Sequence, residues 1–406
     1  MTTKMRPFRD TIPLEQARAL IDQALRPIER RELVPLGDAN GRVLAVAVIA
    51  TSDVPPFPRA AMDGYAVRAE DTFGASRAEP RAVTCVEQVF TGQVSTRAIR
   101  SGQCAEIATG APMPDGADAV VMVEETDADA SGRVQIFTPV YPKQNVGRQG
   151  ADIQQGQTVL AAGEVLNASR VGALAALGTT EVAVYARPRV AILSTGNEIV
   201  DPGQPLAPGQ IYDINRFTVS AVVTEHGGVP VTYKTALDTI DDLSRAVDEC
   251  LQDDVLVFSG GSSVGERDLI LDVIAAEGEV LFHGIALKPG KPTAFGVVRA
   301  RPVFGLPGYP TSCLTNAYLL LAPALRRIAR LPVQAIRSMR LPLSERIMST
   351  PGRYQIYTVR VANGTAVPAF KASGDITSMS RADGYIEIPA NTDIVEKGEL
   401  VEVKLF

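Results

Sequence analysis

Three short apolar runs in the second half of the chain each end in a loop of glycine with serine or threonine. The runs with their loops are Arg189–Gly196 (RVAILSTG), Val255–Ser263 (VLVFSGGSS) and Val303–Ser312 (VFGLPGYPTS). Each run is long enough for a fully buried strand, and helical patterns lie between them, so an open α/β sheet of parallel strands is predicted. Such sheets bind ligands beyond the carboxyl ends of their strands. The three loops, called loop 1 (Ser194–Gly196), loop 2 (Ser259–Ser263) and loop 3 (Pro307–Ser312), are therefore predicted to gather into one site that offers N–H groups and hydroxyls to a phosphate.

Length and charge limit the classes of protein that the chain can belong to. A chain of 406 residues is expected to form two to four domains. Forty Lys and Arg stand against 46 Asp and Glu, for a formal charge of −6, and the sequence has no basic run. This balance argues against nucleic acid as a partner. An anion must then be held by a few local cations, because charges beyond about 8 Å are largely screened at physiological salt.

Cysteine and histidine usage argues against disulfides and zinc. The four cysteines lie far apart without a CxxC pair, which is typical of reduced thiols in a cytosol. The two histidines, His226 and His283, have no metal-ligand spacing. The amino-terminal segment lacks the apolar core of a signal peptide, and no apolar stretch approaches the length that spans a membrane. A cytoplasmic protein with no membrane contact is expected.

The spacing of apolar residues changes along the chain and predicts regions of different secondary structure. Apolar residues at helical spacing from Leu14 to Ile28 predict an amphipathic helix, and the small-residue segment Ala168–Leu177 predicts a helix that could pack against it. Between them, short β-like runs predict a β-rich domain that ends near Gly156. The α/β region runs from about 188 to 331 and closes with a predicted helix Thr311–Arg330. The tail after it predicts a small β-barrel or sandwich.

Two lysines are candidates to bind an anion. Lys288 and Lys291 flank Pro289-Gly290 in the sequence LKPGK, between loops 2 and 3. One charge contact at about 4 Å contributes roughly 4 kcal/mol at an effective dielectric of about 20, so the pair could act as a cationic clamp. A solvated pair of surface lysines is the alternative.

Two acids are candidates to bind a metal. Glu198 follows loop 1 and Asp268 follows loop 2, so both are expected near the carboxyl edge of the sheet. Two carboxylates beside a phosphate repel it unless a cation stands between them, which points to Mg²⁺. Each acid could instead face a helix N-terminus. The chain lacks both a G-x-G-x-x-G fingerprint after the first run and a Walker lysine motif, which argues against a dinucleotide or P-loop fold.

Taken together, seven motifs in order along nearly the whole chain resemble the MoeA family and the E domain of gephyrin, which insert molybdenum during molybdenum-cofactor biosynthesis. They are PPFPRAAMDGYAV, ATGAPMPDGADAVVMVEE, ILSTGNEIV, GQIYDIN, SGGSSVGERD, LKPGKPTAFG and GLPGYPTS. The resemblance implies a multidomain α/β plus β fold in an elongated homodimer. Its domains would be a discontinuous N-terminal helical domain (1–30 and 157–187), an inserted β-rich domain (31–156), a MogA-like open α/β sheet domain (188–331) and a C-terminal β-barrel-like domain (332–406).

The resemblance also implies the reaction and the residues that serve it. Adenylylated molybdopterin and molybdate would give molybdenum cofactor and AMP with the help of Mg²⁺. The site would be shared between the α/β domain of one subunit and the β-rich domain of the other. The residues implied to hold the pterin phosphate and adenylate are Ser194, Thr195, Gly196, Ser259, Gly260, Gly261, Pro307, Gly308, Pro310 and Ser312. Glu198 and Asp268 would hold the metal, and Lys288, Lys291 and Arg353 would receive molybdate. Asp63, Thr109, Asp152 and Asp238 match further polar positions around the family's site.

The match has departures, and rival functions stay open. Tyr309 replaces the asparagine of the common bacterial GLPGN, Ala151 an acid, and Ser262 a valine. One rival is a gephyrin-like scaffold, and another is the molybdopterin adenylyltransferase step, which a MogA-like fold performs. A MogA-type adenylyltransferase is also a candidate partner. The choice between molybdate and tungstate is left open by the sequence.

Overall fold

The computed structural model describes residues 11–236, 239–260 and 269–406. It divides into two compact units, one made of Met1–Glu32 with Tyr185–Phe406 and the other of Leu33–Val184. Within the described residues, no helix is both long enough and apolar enough to cross a membrane.

The larger unit is built on a six-stranded sheet, which confirms the predicted α/β architecture, although the sheet is mixed rather than wholly parallel. Its strands in spatial order are Val229–Thr232, Arg189–Ser194, Val255–Ser259, Arg301–Leu306, Ala294–Val298 and Gly278–His283. The first four are parallel and the last two are antiparallel to their neighbours. The three strands that carry loops 1 to 3 are thus adjacent, and their last residues stand in register, with Ser194 opposite Ser259 and Ser259 opposite Leu306.

Helices cover this sheet and bury its apolar side chains. They are Leu14–Ala24, Asn215–Glu225, Ile240–Cys250, Leu269–Glu277, Pro310–Asn316 and Ala322–Ile328, with a π-helical segment Ala317–Leu321 between the last two. Leu14, Ala17 and Ile21 of the first helix lie in the same core as sheet residues such as Ile192 and Phe304. The amino-terminal helix therefore packs within the α/β unit.

Two predicted helices have different bounds in the structure, and proline explains both. The first ends at Ala24, although Leu25 and Ile28 continue its periodicity and are buried. Pro27 disfavours helical geometry in the residue before it, so the apolar pattern continues in extended chain. The predicted helix Thr311–Arg330 begins at Pro310, passes through the π segment before Pro323, and ends at Ile328. Pro323 lacks an N–H, so the preceding turn widens where the regular bond is lost.

The C-terminal residues form a second sheet in the same unit. In spatial order its strands are Leu287–Lys288, Tyr354–Ala362, Gly384–Ile388, Leu400–Leu405 and Ser338–Pro342, and Thr365–Pro368 pairs with Tyr354–Ala362. Ile347–Met348 pairs with Ile394–Val395, Ile199–Val200 pairs with Ile211–Tyr212, and a short helix covers Thr377–Ser380. The strand Leu287–Lys288 belongs to this second sheet, although in sequence it lies between two strands of the α/β sheet, Gly278–His283 and Ala294–Val298.

The smaller unit is rich in β structure, as predicted. Its main sheet has the spatial order Ala119–Met122, Gly64–Val67, Gln103–Ile107, Arg81–Val89, Arg133–Ile136 and Thr126–Ala128. Shorter strands are Val48–Ile49, Arg59–Ala60, Val146–Gly147 and Thr158–Leu160, and Arg31–Pro35 and Glu181–Tyr185 lie at the boundaries of the unit. Its helical segments are Leu36–Asp38, Ala69–Thr72, Val123–Glu125 and Ala168–Ala176. Leu174 of the last helix packs in a core with Leu44 and Val182. The division into four domains stays a prediction.

Candidate active site at the carboxyl edge of the α/β sheet

Loops 1, 2 and 3 meet at one edge of the sheet. The backbone N–H of Thr195 donates to the carbonyl of Ser259 at 2.9 Å, and that of Gly260 donates to the carbonyl of Leu306 at 3.4 Å. These contacts continue the strand register past the strand ends, so the described parts of the three loops lie side by side. Gly261, the predicted member of loop 2 after Gly260, lies outside the described residues.

Gly260 allows the closest approach between loops 1 and 2. Its φ is +122°, and a Cβ at this position would lie 2.2 Å from the carbonyl oxygen of Thr195. Any side chain would therefore push loop 1 away from loop 2. On the other side, a Cβ at Gly308 would lie 3.5 Å from the Cα of Gly260, which brings loop 3 next to loop 2.

Loop 1 carries two buried hydroxyls that lack hydrogen-bond partners. Ser194 is 3% exposed and Thr195 2% exposed, and neither Ser194 Oγ nor Thr195 Oγ1 has a partner among the described residues. Leaving a buried polar group unpaired costs about 1–3 kcal/mol. Oxygen atoms of a bound phosphate would remove that cost, so this pair of hydroxyls is the feature of the site that most directly calls for a ligand.

Two residues of the QIYDIN segment support the site, although the sequence suggested them only as helix caps. Asp213 does cap the helix Asn215–Glu225, because its Oδ1 accepts from the N–H of Arg216 at 3.0 Å. Asn215 donates from Nδ2 to the carbonyl of Gly308 at 2.8 Å and so joins this helix to loop 3. Asp213 Oδ2 and Asn215 Oδ1 are buried without a hydrogen bond in the described part of the chain.

Loop 3 leads directly into a helix whose first turn is anchored to the C-terminal region. Pro307 and Gly308 precede the helix, Pro310 opens it, and Ser312 is buried in its first turn. Thr311 donates from its backbone N–H to the carbonyl of Ser373 at 3.1 Å and from Oγ1 to the carbonyl of Asp375 at 2.8 Å. Tyr309, the departure from the family pattern, is 67% exposed at this point.

The LKPGK turn is held by the helix that follows loop 3. Asn316, which is fully buried, donates from Nδ2 to the carbonyl of Gly290 at 3.0 Å and to Thr293 Oγ1. Lys288 donates from Nζ to Thr350 Oγ1 at 2.6 Å. Asn316 and Thr350 were missed as site residues by sequence reasoning. The only sequence signal for Thr350 is its position just before the Pro351-Gly352 turn that leads to Arg353.

Arg353 comes next to the lysine turn through strand pairing. Leu287 lies opposite Tyr354 and Lys288 opposite Gln355 in a parallel pair, and the N–H of Tyr354 donates to the carbonyl of Ala286 at 3.0 Å. The backbone of half-buried Arg353 therefore lies beside the start of LKPGK. The predicted cations Lys288 and Arg353, with Lys291 three residues further along the turn, belong to one region of the larger unit.

Of the two predicted metal ligands, the structure describes Glu198. A Cβ at Gly196 would lie 2.7 Å from Glu198 Oε2, so this exposed carboxylate folds back onto loop 1. An oxygen ligand at this place fits Mg²⁺, which binds proteins through one or two carboxylates. Asp268 and Asp238 lie outside the described residues. Within the described residues, no group of three His, Cys, Asp or Glu side chains forms a metal cluster.

In the smaller unit, Asp63 and Thr109 lie in contact although 46 residues separate them. The backbone N–H of Thr109 donates to Asp63 Oδ1 at 2.7 Å. This bond, and a second one from the Thr109 side chain, lower the pKa of Asp63 below its ordinary value. Asp152 is exposed, its N–H donates to the carbonyl of Val54 at 3.0 Å, and no hydrogen bond among the described residues joins it to Asp63 or Thr109.

Comparison with known proteins shows the family to which the chain belongs. Three family descriptions match successive parts of the chain: the MoeA N-terminal region (domain I and II) at residues 12–178, a probable molybdopterin binding domain at 191–327, and the MoeA C-terminal region (domain IV) at 340–406. A relative in Mycobacterium tuberculosis, named molybdopterin molybdenumtransferase 2, is 34% identical over 94% of this chain and 95% of its own. The chain belongs to the MoeA family.

Other members of the MoeA family are similar in sequence and in structure. The Nostoc protein named molybdopterin molybdenumtransferase is 37% identical over 74% of this chain and 70% of its own. A crystal structure titled as the molybdopterin biosynthesis MoeA protein of Pyrococcus horikoshii is 41% identical. It covers 98% of this chain and 99% of its own with a TM-score of 0.85.

Proposed function

We propose that this MoeA-family chain is a molybdopterin molybdenumtransferase. It takes adenylylated molybdopterin and molybdate, inserts molybdenum into the pterin dithiolene, and releases AMP. The names of its relatives in Mycobacterium tuberculosis and Nostoc support the activity, and the three matched regions cover most of the chain.

The observation that carries the proposal is the pair of buried hydroxyls in loop 1. Ser194 Oγ and Thr195 Oγ1 have no partner among the described residues, and they lie where loops 2 and 3 present glycine backbone. A phosphate group of the adenylylated substrate supplies the oxygens that these hydroxyls lack. Holding that phosphate fixes the phosphoanhydride that must break for AMP to leave.

Molybdate is a dianion, and the lysine turn is the cationic part of the site. Lys288, Lys291 and Arg353 receive it, with Lys288 oriented by Thr350. Because Asn316 joins the lysine turn to the helix after loop 3, the oxyanion and the phosphate are held by one connected framework. The chemistry is therefore electrostatic positioning rather than nucleophilic attack by a side chain.

Glu198 and Asp268 are the proposed ligands of Mg²⁺. The ion would supply positive charge to the phosphoanhydride, and Glu198 contributes a carboxylate that already lies against loop 1.

A homodimer completes the proposal, as the family resemblance implies. Asp63 and Thr109 of one copy would serve the strand-end loops of the other, with Asp63 kept ionised by its bonds from Thr109. Asp152 and Asp238 are proposed as further polar residues of the site. A MogA-type adenylyltransferase would supply the adenylylated substrate.

The test is AMP release from adenylylated molybdopterin, measured with and without molybdate. Molybdate-dependent AMP release supports insertion, whereas ATP consumption would indicate the adenylyltransferase step and neither would indicate a scaffold. Glu198→Gln is expected to abolish AMP release with the fold intact, while the exposed control Glu249→Gln retains it.

The role of the lysine turn is tested in the same assay. Lys291→Ala is expected to raise the molybdate concentration needed for half-maximal rate more than it weakens pterin binding. Lys397→Ala, on an exposed turn of the C-terminal region, is the matched control. Near-normal turnover of both Glu198→Gln and Lys291→Ala at low molybdate would refute the assignments.

A further inference from the structure

The smaller unit has a recess in its main sheet that the proposed catalytic roles do not explain. It has a volume of about 200 Å³ and is lined by side chains that include Tyr65, Gln88, Phe90, Glu106 and Val123, with Asp63 among the lining residues. Pockets that enclose drug-sized ligands measure roughly 300–1,000 Å³. This recess therefore fits one fused ring system rather than a whole adenylylated cofactor.

Three polar residues form a row across three neighbouring strands in this recess. Tyr65 lies directly opposite Glu106, and Glu106 lies opposite Gln88 on the next strand. Directly opposite residues share a face of the sheet, so the three side chains stand next to one another. Gln88 donates from Nε2 to Glu106 Oε2 at 2.7 Å. This bond orients both groups and leaves Glu106 Oε1 and Gln88 Oε1 as acceptors.

Tyr65 supplies the donor of the row. Its side chain lines the recess and is buried, with 7% exposed. Burial, followed by the negative charge of Glu106, raises the pKa of Tyr65 above its ordinary value, so the hydroxyl keeps its proton at neutral pH. Read across the strands, the row is donor, acceptor, acceptor.

We propose that this recess binds the 2-amino-4-oxopyrimidine ring of a pterin. That ring presents an acceptor and two donors along one edge: the 4-oxo group, the N3–H and the 2-amino group. Tyr65 donates to the 4-oxo oxygen, and Glu106 and Gln88 accept from N3–H and the amino group. Phe90, which is 54% exposed at the recess, provides an aromatic face for the ring to stack on. The choice of a pterin rests on the proposed function, which makes a molybdopterin the substrate.

The test compares two ring systems that share the 4-oxo group and N3–H and differ at position 2. Pterin carries the 2-amino donor there, whereas lumazine carries an oxygen acceptor, with a hydrogen on the adjacent N1. Equilibrium binding of each to the full-length protein is followed by the intrinsic fluorescence of the pteridine. The wild type is expected to bind pterin about tenfold more tightly than lumazine, because the hydrogen bond from the 2-amino group to Gln88 Oε1 is lost and two acceptors then face each other.

Variants test whether the row of Tyr65, Glu106 and Gln88 causes the preference for pterin over lumazine. Gln88→Met is expected to reduce the ratio of pterin to lumazine affinity about tenfold, because it removes the acceptor that faces the 2-amino group. Tyr65→Phe is expected to weaken both ligands by the same factor, since both carry the 4-oxo group. Glu79 is an exposed acid of the same unit outside the recess, and Glu79→Gln is expected to leave the affinities for pterin and lumazine unchanged.

Equal affinity of the wild type for pterin and lumazine, or an unchanged ratio in Gln88→Met, would overturn the inference. The AMP-release assay is independent of this result. Molybdate-dependent AMP release without pterin selectivity would refute the recess alone. Pterin selectivity without AMP release would refute the transferase function and leave the recess standing.

Discussion

A glycine-to-alanine substitution at position 290 tests whether the lysine turn is held by its packing against Asn316. Gly290 has a φ of +104°, and a Cβ there would lie 2.3 Å from Asn316 Nδ2 and 2.7 Å from Asn316 Oδ1. Gly290→Ala must therefore adopt a backbone conformation that L residues rarely take and must also displace a fully buried amide.

The expected loss of stability follows from these two costs. Backbone strain at such a residue costs about 1–3 kcal/mol. Overpacking of the Asn316 amide costs about 1–3 kcal/mol more, and the hydrogen bonds that the amide loses add to it. A loss of about 3–6 kcal/mol in the free energy of unfolding is expected. Gly364→Ala is the matched control, since its φ is +71° and a Cβ there meets nothing within 4 Å. It should lose only about 1–2 kcal/mol.

A double-mutant cycle isolates the contact between the two residues. Asn316→Ala removes the three atoms nearest to the new Cβ at 290, and the Gly290 carbonyl still accepts from Thr293 Oγ1 at 2.8 Å. Gly290→Ala combined with Asn316→Ala should therefore cost less than the sum of the two single variants, by about 1–3 kcal/mol. Urea unfolding followed by hydrogen exchange and mass spectrometry reads the strand Arg301–Leu306 separately from the smaller unit. Equal costs for Gly290→Ala and Gly364→Ala, or strict additivity in the cycle, would refute the reasoning.

Two further predictions concern the cysteine thiols and the loop 94–97, which forms hydrogen bonds with Glu87. Iodoacetamide at pH 8 should alkylate half-buried Cys85 well before Cys313. The thiolate is the nucleophile, and burial raises the pKa of Cys313 to about 12. Equal alkylation rates of the two cysteines in peptide mapping would contradict this prediction. The Ser95 hydroxyl and the N–H and hydroxyl of Thr96 lower the pKa of Glu87 from 4.5 to about 2. The folded state binds this proton more weakly than the unfolded state, so the stabilisation is full above about pH 4.5 and is lost as the pH falls through about 2. Protection factors of residues 94–97 should fall over that range in the wild type and be low and flat in Glu87→Gln.

The central sheet could be predicted from the sequence because its strands are buried on both faces. Such strands read as unbroken Val, Ile, Leu and Phe, and their ends are marked by glycine with serine or threonine. The helix ends were harder to predict, because Leu25 and Ile28 stay buried after the helix stops at Ala24. Burial follows the apolar period, whereas helical geometry is stopped by the local effect of Pro27.

The candidate site likewise has a part that could be predicted from the sequence and a part that could not. The convergence of loops 1 to 3 follows from strand order alone, since parallel neighbours end at one edge. The roles of Asn215 and Thr350 were not predictable, because each depends on a partner that is distant in sequence: Gly308 lies 93 residues from Asn215, and Lys288 lies 62 residues from Thr350. An isolated Asn or Thr has many ordinary uses, and only the folded chain shows which carbonyl or ammonium it meets.

These side chains explain why loop 3 can keep one geometry although it contains two prolines and an exposed tyrosine. Asn215 binds the carbonyl of Gly308, and Thr311 binds the C-terminal segment through both its backbone and its hydroxyl. Asn316 lies in the same helix as Thr311 and donates a hydrogen bond to the carbonyl of Gly290 in the lysine turn. A displacement of loop 3 would therefore have to break bonds to a helix, to the C-terminal segment and to the lysine turn at once. Since buried or partly buried bonds of this kind cost about 1–3 kcal/mol each to leave unmade, the loop is held in place before any ligand arrives, which is the preorganisation that electrostatic catalysis requires.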